Sequence, residues 1–343
     1  MIKILQLLIT GVVSMMTNCV QAQGINKMTM DSVTRMLRFF EDDDYINFWG
    51  CGTDNSYTSG SRLDYYYQPN QKPHGLLGRW GLKAGTASVD TYSWGLEELI
   101  YTPNDIARTE WEPHDYQYAG AFAITHSKYS YNPEEKYAFQ TEVVVGVIGP
   151  SALAGPIQTT FHQLIQYTTP KGWRHQYQND ILINLNITAE KQFVAECDWL
   201  TIIGGVQLYG GTMQNGAAVY PLFIVGHKAS YFDGPFSQYL GTGKIKGQLY
   251  FICKPELQVY AQNAMLEGGL FTQNPNYTGK VPSLTHMSTE KVPDLQHWVS
   301  SFTYGFVYTQ GIWGISITEN VSSATLHNLY CHDFGNVSLY VGL

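Results

Sequence analysis

The chain has 343 residues, a formal net charge of −8 and only 14% charged side chains, whereas aromatic side chains also make up 14%. Abundant aromatic residues combined with little charge exclude a disordered chain. A mean hydropathy of −0.18 does not fit a polytopic helical membrane protein, which needs several apolar stretches of about 20 residues. No cluster of Lys or Arg stands out, which argues against nucleic acid as a partner.

The first 22 residues are typical of a secretory signal peptide. Lys3 precedes an apolar stretch over residues 4–16, and residues 20–22 place compact or small side chains at the cleavage positions. We therefore expect cleavage before Gln23, export, and a single mature domain over residues 23–343.

The cysteines give little information about the site. Asn18 is a poor match to the small residue that precedes a lipoprotein cysteine, which argues against a lipid anchor on Cys19. The cysteines left after cleavage form neither a Cys-x-x-Cys pair nor a Cys/His cluster with zinc spacing, so a zinc site is not expected. Their pairing stays open: Cys51, Cys197, Cys253 and Cys331.

Alternation with a period of two residues predicts β-strands through most of the chain. Over residues 137–147 the odd positions are mostly apolar and the even positions are polar or small. The same pattern or a weaker form of it recurs until about a dozen strands are predicted. The other windows are 36–41, 59–67, 97–101, 118–127, 181–187, 199–209, 217–225, 247–260, 302–308, 313–317 and 336–343.

About a dozen strands with one apolar face suit an outer-membrane barrel, although a soluble sandwich or lipocalin-like barrel gives the same alternation. The signal peptide, the scarcity of charge on the apolar faces and the abundance of Tyr and Trp favour the membrane. We predict an all-β fold, an up-and-down antiparallel transmembrane barrel of about 12 strands, present as a monomer. Residues 68–93 are long for a turn and indicate a strand extension or an insertion.

One segment has helical rather than strand spacing. Pro156 is expected at the first helical position. Gln158 and His162 then stand at i and i+4 on one face. The apolar stripe beside them consists of Ile157, Phe161, Leu164 and Ile165.

In an up-and-down barrel, the loops after odd-numbered strands emerge on one side. Strand pairing would bring Asp43 and Thr58 to the same rim, with the helix that carries His162 above them. Carboxylates can ligate a hard cation such as calcium, and an imidazole can deprotonate water, so these residue types suffice for hydrolysis. The loops concerned are residues 42–56, 102–115 and 149–180.

Each of these residues also has a plainer interpretation. An acidic run such as residues 42–44 is usually a solvated turn, and a lone histidine such as His162 is usually a surface or structural residue. Thr58 would ordinarily be a strand residue and Arg108 an ordinary loop cation. Spacing alone therefore leaves catalysis open.

Several motifs follow one another along the chain. They are Phe40-Glu41-Asp42-Asp43, Thr53-Asp54-x-x-Tyr57-Thr58-x-Gly60, Ile100-Tyr101-Thr102-Pro103-Asn104-Asp105, Asp115-x-x-Tyr118-Ala119-Gly120, Gln158-x-x-x-His162-x-Leu164-Ile165, Asn263-Ala264-Met265-Leu266 and His332-x-Phe334-Gly335. In this order they resemble the lipid A 3-O-deacylase (LpxR-like) family of outer-membrane barrels, in which an E-N-D run precedes a D-x-x-Y-T-x-G strand.

This resemblance implies a calcium-dependent esterase of the outer membrane that releases the 3-O-linked acyl chain of lipid A in lipopolysaccharide. It implies that His162 is the general base that activates water and that Asp43 is a calcium ligand. Thr58 and Gln158 would line the catalytic site, and Arg108 would meet a lipid phosphate.

Asp42 departs from the family pattern, which has Asn at this position. The substitution adds negative charge beside Asp43 and could strengthen cation binding, or it could remove a hydrogen-bond donor to the substrate. We therefore keep Asp42 as a substrate-binding candidate. The alternative that this departure motivates is a non-catalytic outer-membrane barrel with a structural or lipid-binding role.

Overall fold

The computed structural model describes residues 33–47, 56–69, 75–194, 199–242, 245–272, 281–282, 287–288 and 293–343. The predicted signal peptide, Cys19, Cys51, Cys197 and the Thr53-Asp54 motif lie outside these residues. Of the predicted mature cysteines, Cys253 and Cys331 are described, and both are free thiols.

Twelve antiparallel strands form a closed barrel in which each strand pairs with its neighbours along the chain and the last pairs with the first. They are β1 (Arg35–Asp43), β2 (Ser56–Tyr67), β3 (Val89–Thr102), β4 (Ala119–Asn132), β5 (Tyr137–Ile148), β6 (Asp180–Gln192), β7 (Leu200–Gly211), β8 (Gln214–His227), β9 (Gly247–Asn263), β10 (Trp298–Gln310), β11 (Trp313–Ser322) and β12 (His332–Gly342).

Each predicted strand window overlaps one of these strands, so the predicted twelve-stranded fold is confirmed. Because the strands alternate in direction, residues 44–55, 103–118 and 149–179 connect strands at one end, which we call the upper rim. Both ends of the barrel chain, at Arg35 and Gly342, lie at the opposite end, the lower rim.

The barrel is apolar outside and polar inside, the reverse of a soluble protein. Outward side chains such as Ile124, Ile183 and Phe306 are exposed. Inside, Asp64 is fully buried, accepts hydrogen bonds from Arg38 and is salt-bridged to Arg62 at 2.9 Å. This polarity is that of a barrel whose wall faces lipid.

In the described part of the chain, four short helices accompany the strands: α1 (Leu76–Trp80), α2 (Ala154–Ile165), α3 (Pro235–Tyr239) and α4 (Ala264–Glu267). Helix α3 fills the lumen near the lower rim, where the ring of Tyr239 stacks on Tyr340 with centroids 4.3 Å apart. No helix in the described part of the chain is long and apolar enough to cross a membrane. A two-residue ladder, Val281–Pro282 with Met287–Ser288, lies outside the barrel sheet.

Residues 68–93, which the sequence marked as too long for a turn, contain both expected features. Strand β3 extends down to Val89, and helix α1 occupies part of the connection. Residues 75–88 pack on the outside of the wall at the lower rim, far from the loops of the upper rim.

Candidate functional site

The outer wall of β1–β3 carries polar side chains close to the upper rim. Alternation along β1 directs Glu41 and Asp43 outwards, and their Cα partners on β2 are Ser61 and Ser59. Ser61 pairs in turn with Glu98 on β3, and its hydroxyl donates a 2.7 Å hydrogen bond to Glu41. We call these five side chains the outer polar patch.

The row of side chains immediately below this patch is apolar. Phe39, Leu63 and Leu96 are paired across β1–β3 and are 45%, 46% and 45% exposed. An exposed apolar band on a barrel wall is the surface that contacts acyl chains. The outer polar patch therefore begins where the lipid-facing band ends.

A bulge in β2 places Thr58 beside the patch. The register with β3 shifts between Tyr57 and Ser59, so that Tyr57 turns into the barrel while Ser59 faces outwards. The Thr58 hydroxyl lies 2.7 Å from that of Thr102, and both side chains are buried. Thr102 shares the outward parity of Glu98 on β3, so this hydroxyl pair lies at the upper edge of the patch.

Helix α2 packs on the outer wall of β4 through two glycines. Gly120 faces outwards, and a Cβ at this position would lie 2.2 Å from Cβ of Ala154. A Cβ at Gly155 would lie 2.9 Å from the ring of Trp173. The close approach therefore depends on missing side chains, and it is sealed by one buried cluster: Ile100, Tyr118, Ala154 and Trp173.

Gln158 and His162 lie on the buried face of α2. The Trp173 indole N–H donates a 2.8 Å hydrogen bond to Oε1 of Gln158. His162 Nδ1 lies 2.6 Å from the carbonyl oxygen of Thr168. Because a carbonyl oxygen only accepts hydrogen bonds, Nδ1 carries the proton, and Nε2 is the basic nitrogen of the neutral ring.

The structure brings α2 and the outer polar patch to the same quarter of the outer wall. Ile100, in the cluster under the helix, is the β3 partner of Ser59, and Ser59 is the β2 partner of Asp43. The elements that carry His162 and Asp43 are thus joined by one row of cross-strand neighbours. This arrangement lies outside the barrel, on the side of the wall that faces lipid.

The predicted helix is present, but it starts at a different residue. It begins at Ala154, directly after the 3₁₀ turn Pro150–Ala152, so Pro156 is its third residue and not its first. Its apolar stripe is turned to the surroundings, with Leu164 78% exposed. The polar face is buried instead because it packs against the wall and Trp173, while lipid can cover an apolar face at no cost.

Asp42 lies on the opposite side of β1 from Asp43. It is buried in the lumen, where it accepts 2.9 Å hydrogen bonds from the Tyr57 hydroxyl and from Nδ2 of Asn336. Both partners donate, which suits a carboxylate. Since neighbouring residues of a strand face opposite sides, Asp42 and Asp43 serve different surfaces.

Arg108 lies on the loop of residues 103–118, which borders a cavity of about 380 Å³ at the upper rim. Its guanidinium is half exposed and forms an ion pair with Glu112. On the other side of the cavity the Tyr330 hydroxyl donates a 2.7 Å hydrogen bond to Asp115. Burial and the Asp115 carboxylate raise the pKa of Tyr330 well above its usual range, so this hydroxyl remains a donor at neutral pH.

The donor chemistry of the outer polar patch fits calcium in kind. Carboxylates and hydroxyls are hard oxygen ligands, which calcium takes together with backbone carbonyls and water, whereas zinc prefers nitrogen and sulfur. Within the described residues, no group of three His, Cys, Asp or Glu side chains is arranged to hold a metal ion. A cation here would therefore need ligands from outside this acidic set.

Sequence reasoning missed two members of the patch, Ser61 and Glu98, and gave Glu41 no role beyond its place in the acidic motif at the end of the first strand. The signal was present, because Glu98 has the same parity as the exposed Leu96 and Trp94. A carboxylate on the lipid-facing parity of a membrane strand is costly and marks a functional surface.

Comparison with known proteins supports the geometry. The model of the family described as outer membrane protein LpxR matches residues 7–343. The solved structure of LpxR from Salmonella typhimurium superposes with a TM-score of 0.69 at 16% sequence identity, covering 90% of this chain and 100% of that chain. The β domain of a Bordetella autotransporter is more distant, with a TM-score of 0.43, 7% identity, and coverage of 90% of this chain and 99% of that chain.

No curated protein sequence matches the chain. The family match extends over nearly the whole chain, and the superposed barrel accounts for the fold and its outer-membrane location. The chain therefore belongs to the LpxR family of outer membrane proteins.

Proposed function

We propose that the chain is a calcium-dependent esterase of the outer membrane that hydrolyses the 3-O-linked acyl chain of lipid A. Membership of the LpxR family supports the reaction class. The observation that carries the proposal is the position of the outer polar patch, directly above the exposed row of Phe39, Leu63 and Leu96. A lipid whose acyl chains lie along this row presents its ester groups at the height of the patch.

His162 would act as the general base. Its Nδ1–H bond to the Thr168 carbonyl orients the ring, and Nε2 would take the proton from water. The water oxygen then attacks the ester carbonyl carbon, the bond between that carbon and the sugar oxygen breaks, and the imidazolium returns the proton to the departing oxygen. The products are a fatty acid, which releases its remaining proton to solvent, and a lipid A hydroxyl, so no acyl-enzyme is required.

Thr58 and Gln158 would line this site. Each is buried and oriented by a hydrogen-bond partner, Thr102 for the hydroxyl and Trp173 for the amide. Such fixed groups are suited to positioning an ester relative to the base, since small displacements of reacting groups cost large factors in rate.

Asp43 would hold calcium. Because the described carboxylates form no three-ligand group, hydroxyl oxygens, backbone carbonyls and water would supply the remaining ligands. Calcium, when bound, supplies positive charge that polarises the ester carbonyl. We propose a different role for Asp42: from the lumen it fixes the end of β1 to Tyr57 and Asn336, which positions Asp43 on the other face.

Arg108 would meet a phosphate of the lipid A headgroup. The long loops of the upper rim match the extracellular side of outer-membrane barrels, where lipopolysaccharide is found. The Glu112 carboxylate that now pairs with Arg108 would exchange for the phosphate, an exchange that is inexpensive at an exposed pair.

Helix α2 is suited to the boundary between the headgroups and acyl chains. Apart from His162 it contains no ionisable side chain, and its exposed stripe is apolar. A soluble rim helix would place charged residues on this face. We propose that Ile157, Phe161 and Leu164 contact acyl chains of the outer leaflet beside the scissile ester.

The test is the mass profile of lipid A from cells that express the wild type, His162→Ala or His297→Ala. His297 is a matched control, because its Nδ1 also bonds a backbone carbonyl, that of Tyr260, on the upper rim away from α2. We expect lipid A from cells with the wild type or His297→Ala to lack the 3-O-linked chain. Deacylation by His162→Ala should be slower by a factor of about 10² to 10⁴.

Barrel integrity is followed in the same samples by the heat-dependent shift in gel mobility. Equal deacylation by His162→Ala and the wild type would show that His162 is not the base. Calcium chelation distinguishes the esterase from a non-catalytic barrel. If the chain is the esterase, chelation should stop deacylation of lipid A. If it is a structural or lipid-binding barrel, the lipid A profile should be the same with and without chelator.

A further inference from the structure

The outer wall near the lower rim carries a second group of polar side chains that point away from the barrel. Alternation along β4 directs Lys128, Ser130 and Asn132 outwards, and Thr141 on β5 is the outward partner of Lys128. All four are buried, Lys128 to 2% exposure. We call them the lower polar group.

Residues 75–88, which we call the lower segment, cover this group. Its backbone bonds the wall directly: the N–H of Leu82 donates to Oγ1 of Thr141 at 3.1 Å, and the N–H of Ala84 donates to Oγ of Ser130 at 3.0 Å. Asn132 donates back to the Ala84 carbonyl at 3.0 Å. The segment is therefore fixed to the outside of the barrel.

Lys128 ties the segment and the wall together. Its ammonium lies 3.3 Å from the Gly81 carbonyl and 3.3 Å from the Asp90 carboxylate. A Cβ on Gly81 would lie 2.9 Å from Lys128 Cδ, so the chain passes directly over this side chain. The contacts satisfy the polar groups that would otherwise face lipid.

The other face of the lower segment is amphipathic. Leu76 and Trp80, at i and i+4 of α1, are 80% and 73% exposed. The guanidinium of Arg79 lies over the Trp80 ring, 5.5 Å from its centroid, and Lys83 is exposed nearby. Leucine, tryptophan and two cations on one exposed surface are the composition of a membrane-interface segment.

The surrounding wall places this surface at the level of an aromatic girdle. Trp94 is half exposed and stacks on His126 with centroids 4.0 Å apart, and both lie on outward positions next to the segment. Tyr65 and Tyr67 continue the outward aromatic row on β2. Such girdles mark the boundary between hydrocarbon and headgroups.

We propose that the lower segment is a phospholipid-binding clamp in the membrane leaflet at the lower rim. Leu76 and Trp80 insert at the boundary between acyl chains and headgroups, and Arg79 and Lys83 bind lipid phosphate. Continuity with the lipid-facing wall identifies the occupant, because lipid already surrounds the strands on either side. The clamp fixes how deeply the barrel sits in the membrane. Because the strands are rigid, it also fixes the height of the upper rim relative to the membrane.

The test uses the purified full chain in vesicles of phosphatidylcholine with phosphatidylglycerol that carry bromine at a shallow or a deep acyl position. The contribution of Trp80 is the difference in fluorescence between the wild type and Trp80→Phe. We expect shallow bromine to quench this contribution at least twofold more than deep bromine. Trp94→Phe is the matched control, since Trp94 lies on the wall itself and must be quenched.

If neither brominated lipid quenches the Trp80 fluorescence while the Trp94 fluorescence is quenched, the clamp proposal is wrong. The surface would then face water or another protein. Stronger quenching by deep bromine would also overturn the interfacial position. The phosphate contact is tested separately with Arg79→Gln/Lys83→Gln: replacing phosphatidylcholine by phosphatidylglycerol should raise the heat-modification midpoint of the wild type but not of this variant. An equal rise in both would overturn it.

Discussion

Two groups of polar side chains interrupt the lipid-facing wall, and they are treated differently by the rest of the chain. The lower polar group is buried and bonded by residues 75–88. The outer polar patch near the upper rim is only half-buried, and helix α2 lies beside it on the same wall. The first group has the arrangement of a structural contact, and the second has that of a surface accessible from the membrane.

The comparison indicates how a barrel can hold a hydrolytic site without using its lumen. Polar groups on the wall are costly in lipid unless something bonds them. At the lower rim the chain itself supplies the partners. At the upper rim Ser61 bonds Glu41, and we propose that calcium and the substrate ester bind the patch in addition, so changes in the patch should affect activity and changes in the lower group should affect stability.

The largest effect within this comparison is expected for Asp43→Asn. Loss of the carboxylate should slow lipid A deacylation about 100-fold and raise the calcium concentration needed for half-maximal rate, because charge stabilisation at the ester carbonyl is lost. The measurement is deacylation rate against calcium concentration in detergent micelles, together with the heat-modification midpoint, which should not fall.

Asp42→Asn is the neighbouring control and restores the residue of the family pattern. Since Asp42 faces the lumen, we expect calcium dependence to stay at the wild-type value. A loss of calcium response equal to that of Asp43→Asn would contradict the assignment of these residues to opposite faces of β1.

A smaller loss is expected for Gly120→Ala. The new Cβ would lie 2.2 Å from Ala154 Cβ, so α2 must move off the wall and carry His162 with it. We expect a loss of activity of about 10-fold or more with an intact barrel. Gly210→Ala is the matched control, because nothing lies within 4 Å of a Cβ at that position. Full activity of Gly120→Ala would mean that the packing of α2 against Gly120 does not determine the position of His162.

The smallest effect on activity is expected for Lys128→Met. It removes the bonds to Asp90 and Gly81 while keeping an aliphatic side chain, so the free energy of unfolding should fall by about 2 kcal/mol with deacylation unchanged. Urea unfolding of the folded barrel in micelles measures the change. The exposed Lys191→Met serves as reference, and equal stability of the two variants would show that the lower segment is not held by Lys128.

The strands and the helix show how far the sequence could be read. Alternation located all twelve strands, because the two faces of a membrane strand meet different surroundings all along its length. The same rule did not transfer to α2, where the apolar stripe was correctly found and its burial was not addressed. Whether an apolar stripe faces protein or lipid depends on the neighbouring wall, which no local pattern encodes.

The site was accessible to sequence in part. Asp43, Thr58, Gln158 and His162 came from the resemblance, and their assigned roles remain proposals. The outward parity of Glu98 was visible in the sequence, but its position beside Ser61 and Glu41 became known only with the register between β1, β2 and β3. Register is fixed by hydrogen bonding between distant segments, so it is not visible in any single window.

By itself, the sequence determined the number and order of the strands and the alternation of their faces, since these follow from side-chain polarity with a period of two residues. The family followed from the ordered motifs along the chain. Tertiary structure decided that Asp42 and Asp43 face opposite sides, that α2 lies outside the barrel on Gly120, and that residues 75–88 cover the lower polar group. The physical reason is that these outcomes depend on barrel closure and on contacts between residues far apart in the chain.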